Sequence, residues 1–141
     1  MFLKKQITGL KPNQAYRAKF YIDFASKAPS NIPGAGGSPG ENVALGIGIS
    51  AVEYDNVVIN NYYRINLNIG NQLQSGPYKK VIGNVANGTN TPTYVLLKKE
   101  GDFEFTTDST GKVWAFVCAD SGFEATTSLY YSRIKIEFFE L

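Results

Sequence analysis

The stretch Gln14-Ala15-Tyr16-Arg17-Ala18-Lys19-Phe20-Tyr21-Ile22-Asp23-Phe24-Ala25-Ser26 decides the fold. Tyr16, Ala18, Phe20, Ile22 and Phe24 fall on one side of an extended chain; Arg17, Lys19, Tyr21 and Asp23 fall on the other. Period two marks a strand with one buried face, because successive side chains point to opposite sides of a sheet. On a helix the same apolar residues would scatter around the axis.

The period recurs on both sides of this stretch. Over Val43 to Val52, Val43, Leu45, Ile47, Ile49 and Ala51 alternate with Ala44, Gly46, Gly48 and Ser50, so the second face is almost bare of side chains. Over Ile59 to Leu67, Ile59, Tyr63, Ile65 and Leu67 are expected inward, with Tyr62, Arg64 and Asn66 outward. Lys112 to Cys118 is apolar on both faces and reads as a central strand, with Trp114 in the core. Leu129 to Phe139 closes the chain, with Tyr130, Ile134, Ile136 and Phe138 inward. Weaker strands read at Lys79 to Val85, Thr93 to Lys99 and Phe103 to Thr107.

Turn chemistry separates these runs. Asp108-Ser109-Thr110-Gly111 predicts a tight hairpin; Asn87-Gly88-Thr89-Asn90 and Asp120-Ser121-Gly122 predict two more turns. Ala28 to Glu41, with Pro29, Pro33 and Pro39, admits no helix and reads as a long loop that folds back over the bare Gly46/Gly48 stripe. About eight short strands with regular turns predict an all-β, antiparallel sandwich or barrel. At 141 residues, positions 1–141 form one domain, since two cores would each fall below the size that folds easily.

Absences exclude chemistry. The chain has no His, so imidazole is neither base nor metal ligand, and the usual Ser–His or Cys–His hydrolysis lacks its base. A single cysteine, Cys118, forms no internal disulfide and no zinc site. Fourteen Lys and Arg against 12 Asp and Glu are too balanced to point to nucleic acid. No run approaches the roughly 20 apolar residues of a membrane-spanning helix. The start Met1-Phe2-Leu3-Lys4-Lys5 has no apolar leader region. Either the protein stays where it is made or a leader preceded Met1; 12 Asn and many Thr and Tyr favour the second, an extracellular or cell-envelope location.

Gly9-Leu10-Lys11-Pro12-Asn13-Gln14-Ala15-Tyr16 has the form Gly-Leu-x-Pro-x-x-x-Tyr ahead of an alternating strand. It resembles the corner of fibronectin type III domains and of jelly-roll, galactose-binding-like carbohydrate-binding modules. Leu10 would plug the core end and the Tyr16 hydroxyl would bond backbone across the corner. About 120 residues follow the corner, which suits the jelly roll better. The resemblance implies a jelly-roll-like sandwich and admits carbohydrate as ligand.

The candidate site is a Tyr/Arg face. Tyr62 and Arg64, and Tyr131 and Arg133, are two positions apart, hence on one face of a strand; Arg17 lies with Tyr21 and Asp23 on another. Tyr offers flat contact and Arg a fixed fork of donors. The plainer alternative is Arg stacked on Tyr across strands, decorating a sheet. Glu41, Glu53, Asp120 and Glu124 could cluster as a structural Ca²⁺ site or a catalytic pair. Gly34-Ala35-Gly36-Gly37-Ser38-Pro39-Gly40 lacks the Gly-Lys-Ser/Thr ending and helix of a phosphate loop and reads as a lid or binding loop. Asn87-Gly88-Thr89 is a glycosylation sequon. The pairs at Lys4, Lys79 and Lys98 read as guards of strand edges. The expected function is a non-catalytic module that binds carbohydrate or a related polar ligand, without cofactor. The alternatives are an adhesion or assembly domain, with this face buried in a homo-oligomer, and a hydrolase using acidic residues.

Overall fold

The computed structural model describes residues 1–141. It contains nine strands and no helix: β1 (Phe2–Ile7), β2 (Ala15–Ser26), β3 (Val43–Ser50), β4 (Asn56–Ile59), β5 (Tyr62–Ile65), β6 (Lys80–Asn84), β7 (Val95–Thr106), β8 (Val113–Ser121) and β9 (Leu129–Glu140). A four-stranded sheet has the order β1-β8-β3-β6, and a three-stranded sheet the order β7-β2-β9. Every pairing is antiparallel. The pairs β4·β5, β3·β6, β2·β7 and β1·β8 are nested, as in one long hairpin folded over on itself, and β9 adds to the free side of β2.

The core lies between the two sheets. Ala18, Phe20, Ile22 and Phe24 of β2 meet Val43, Leu45, Ile47 and Ile49 of β3 and Val113, Ala115, Val117 and Ala119 of β8. These are the apolar positions that alternation assigned in β2 and β3. β8 is central, as its two apolar faces require, because its other face carries Phe116 and Cys118 into a second cluster. Trp114 differs from expectation: it is half-buried at the rim of that second cluster, with the Lys4 ammonium 5.8 Å from its ring.

The corner is built as its residues imply. Gly9 takes a φ of 85°, the Tyr16 hydroxyl accepts from the Lys11 backbone N–H at 3.0 Å, and Leu10 packs on the core. Thr107 seals the same corner, with its hydroxyl accepting from Gln14 N and donating to Lys11 O.

Four strand or turn assignments differ from the sequence reading. Thr93–Lys99 and Phe103–Thr107 are parts of one strand, β7. Gly101 at its middle is no turn: a Cβ there would strike Ile82, so the glycine admits a close approach of β6. Ile59 to Leu67 is interrupted at Asn60 and Asn61, whose φ values of 50° and 64° form the two-residue turn between β4 and β5. Asp108 to Gly111 is no hairpin, since it carries the chain from β7 in one sheet to β8 in the other. Asp120 and Ser121 likewise continue β8.

The Pro/Gly loop does not cover the Gly46/Gly48 stripe. It is pinned at the sandwich end, where Ser30 N donates to Thr89 O, Glu124 N to Ala35 O and the Asn42 side chain to Gly36 O. The stripe is covered by residues 54 and 78–79: a Cβ at Gly46 would lie 2.8 Å from the Lys79 side chain, and one at Gly48 2.6 Å from the Tyr54 hydroxyl. Lys4-Lys5 and Lys98-Lys99 fall on the edge strands β1 and β7, but Lys79, just before edge strand β6, is wholly buried against Asp120 and guards no edge.

Candidate functional site

Residues 51–79 leave the sandwich after β3, form the β4–β5 hairpin and return across the outer face of the four-stranded sheet. Tyr54 is the nail of this excursion. It is wholly buried, its ring stacks on Phe116 at 4.2 Å, and its hydroxyl donates to Tyr78 O at 2.9 Å. Burial raises its pKa well above the ordinary tyrosine value. Asn66 closes the base of the β4–β5 hairpin, accepting from Asp55 N at 3.0 Å and donating to Glu53 O at 2.8 Å. Ile65, Leu67 and Ile69 pack onto the Tyr54–Phe116–Cys118 cluster and, with the polar residues between them, line what lies above.

Above them opens a cleft of about 750 Å³. Its walls carry Arg64 of β5, the amide side chains of Asn68, Asn71, Gln72 and Gln74, and Asp120 of β8. Tyr63, 83% exposed, stands at its margin. Asp120 alternates with Phe116 and Cys118 and so points to this outer face. It is held at 2.6 Å by Lys79, whose side chain has no exposed surface and also donates to Gln72 O at 2.9 Å. One buried ammonium thus fixes both a carboxylate and the loop that form the cleft wall. The nearby Cys118 thiol is pushed up to about 11, chiefly by burial, so at neutral pH it is a small apolar group.

The residues expected from strand parity do not form one surface. Arg17, Tyr21, Asp23 and Arg133 lie on the outer face of the three-stranded sheet, whereas Tyr62 and Arg64 lie on the hairpin over the opposite layer. The first group is a ladder of satisfied charges. Arg17 bonds Glu104 through Nε at 3.1 Å and Nη2 at 2.8 Å. Arg133 meets Asp23 at 3.1 Å. The Tyr21 hydroxyl donates to Glu137 at 3.0 Å, with Lys19 and Lys135 at 5.1 and 5.3 Å from its ring. This is the cross-strand decoration that stabilises a sheet.

Tyr131 is not on that face. The β2·β9 register shifts between Asp23 and Phe24, so Asp23 opposes Arg133 while Phe24 opposes Tyr131. Ser132 is the extra residue of the bulge, which reverses the parity before it. Tyr131 therefore points inward, 6.0 Å from the Phe24 ring, and Tyr130 points out, 64% exposed and edge-on to Tyr94. Burial pushes the Tyr131 hydroxyl up to about 12. In the hairpin, Tyr63 is exposed rather than inward, because a lone two-stranded ribbon has no second layer over it.

The acidic candidates stand apart, with no three of the chain's Asp, Glu and Cys side chains gathered. Asp120 is bound by Lys79, Glu53 by Lys4, and Glu41 by Ser38 and Asn31 N, contacts that hold Glu41 below the usual carboxylate range. Asn87, the sequon asparagine, is buried with both amide protons given to Thr91 O and Thr93 O. The cleft's amides were legible only as the dense run Asn66-Leu67-Asn68-Ile69-Gly70-Asn71-Gln72-Leu73-Gln74, which the strand reading stopped short of.

No family model, no curated protein and no solved structure matches this chain.

Proposed function

We propose that the protein is a non-catalytic, extracytoplasmic module that binds a carbohydrate or a related polar ligand in the cleft over the outer face of the four-stranded sheet. One observation carries this reading: Arg64, Asn68, Asn71, Gln72 and Asp120 converge on about 750 Å³, beside the exposed ring of Tyr63. Side-chain amides both donate and accept, as sugar hydroxyls do. A few placed polar groups beside an aromatic surface are the makings of a ligand site. Asp120 is the one carboxylate in the lining and is tied to Lys79, which favours binding over two-carboxylate hydrolysis. The nested strand pairing supports the finer jelly-roll reading, and with it the likeness to carbohydrate-binding modules.

A glycan array probed with the purified domain, with Ca²⁺ and with chelator, tests the proposal. We expect binding that Tyr63→Ala and Arg64→Ala abolish without moving the melting temperature, since exposed side chains contribute little to stability. An array without hits, or variants that bind like the parent, would reject it.

A second reading, an assembly domain, is favoured by the groove of about 290 Å³ left open between edge strands β1 and β9, lined by Leu3, Ile7, Ile134, Ile136 and Phe138. Its expected sign is a concentration-dependent dimer in sedimentation that Ile136→Lys dissolves.

A further inference from the structure

We propose that the ligand of the cleft is an acidic glycan, one whose sugar rings bear carboxylates, and that Arg64 is its carboxylate clamp. The inference rests on reading the cleft as a carbohydrate site and names which carbohydrate it takes.

The chain has three arginines, and two are spent within the sheet: Arg17 on Glu104 and Arg133 on Asp23. Arg64 is exposed, lines both the large cleft and an adjoining cavity of about 170 Å³, and has no carboxylate partner. Asp120, the only acid in the large cleft's lining, already faces the buried ammonium of Lys79. Glu53 and Asp55 of the same excursion turn to Lys4 and stand outside that lining. The cleft therefore presents one uncompensated positive charge. It sits on a planar fork of donors, which matches a carboxylate with two parallel hydrogen bonds. The flanking amides of Asn68, Asn71 and Gln72 are neutral and suit the hydroxyls of the same chain of sugars. A neutral glycan would leave the guanidinium facing hydroxyls, which pair with it more weakly than an anion does.

Isothermal titration calorimetry with three probes tests this: oligogalacturonate, which carries carboxylates; galactan, which is neutral; and dextran sulfate, which is anionic without carboxylates. We expect oligogalacturonate to bind best, Arg64→Gln to weaken it at least about tenfold, and Arg64→Lys to fall between. Unchanged melting temperatures of both variants separate lost contact from lost fold. Galactan bound and oligogalacturonate refused would overturn the acidic ligand while sparing the carbohydrate reading. No binding of any probe would remove both. Dextran sulfate bound as well as oligogalacturonate, and insensitive to Arg64→Gln, would reduce the effect to general charge attraction and reject the clamp.

Discussion

Lys79 lies entirely beneath the surface and holds Asp120 at 2.6 Å, joining the excursion of residues 51–79 to the outer face of β8. The lysine is unusual in position rather than in partner: its methylene stem lies over Gly46, where any side chain would displace it. The bare stripe of β3 is therefore the bed of a buried charge, and the cleft is built upward from that pair.

Lys79→Met should destabilise the fold, because Asp120 and Gln72 O lose their donor. Removing one partner of a buried pair costs about 3–5 kcal/mol. Asp120 keeps 25% of its side chain in solvent, so the lower end, about 3 kcal/mol, is expected. Asp120→Asn should cost more, since it strands the wholly buried ammonium. Urea denaturation measures both; two variants within about 0.5 kcal/mol of the parent would refute a buried pair.

Gly48→Ala should strip the cover from the sheet without unfolding the sandwich. The added methyl would meet Tyr78 O, which already accepts from Tyr54, so the excursion must lift. Overpacking of this kind costs about 1–3 kcal/mol. Hydrogen exchange should rise over residues 54–79 and stay low in β2; equal protection in both variant and parent would count against this account.

The bulge at Ser132 makes a test of adjacent tyrosines. Tyr131→Ala opens a gap against Phe24 and should cost about 3 kcal/mol, whereas Tyr130→Ala should stay within about 1 kcal/mol. Reversed magnitudes would mean that unbroken alternation, with Tyr130 inward, is right.

Alkaline pH should weaken the fold from about pH 10 upward. In the unfolded chain Tyr131 ionises near its ordinary value of 10.0, whereas burial holds it up to about 12 in the folded state. Between those values the unfolded state has lost the proton and the folded state has kept it, so stability falls as pH rises. Tyr54 shifts in the same direction. Phenolate absorbance should show Tyr131 and Tyr54 ionising only with unfolding; all nine tyrosines ionised near pH 10 in a folded sample would contradict the burial of these two.

Tyr16→Phe should cost about 1–3 kcal/mol, because the Lys11 N–H loses its acceptor inside the corner. An unchanged denaturant midpoint would show that the hydroxyl contributes nothing there.

The alternation in β2 and β3, the doubly apolar β8 and the corner at Tyr16 were all legible in the sequence. Each is a local consequence of chain geometry: period two decides which residues face a core, and a Gly-Leu-x-Pro-x-x-x-Tyr corner closes on its own backbone. Tertiary structure decided the rest. Ser132 inverts a face because β2 imposes the register on β9, and nothing in Tyr130-Tyr131-Ser132-Arg133 states that. That Tyr62 and Arg64 lie on a different layer from Tyr21 and Arg133 follows from strand order, which alternation does not encode. The cleft joins Arg64, Asn68, Asn71, Gln72 and Asp120 across 56 positions of sequence from end to end. They meet because a glycine stripe on one strand gives Lys79 room to lie buried, and a buried ammonium must find a carboxylate and a carbonyl.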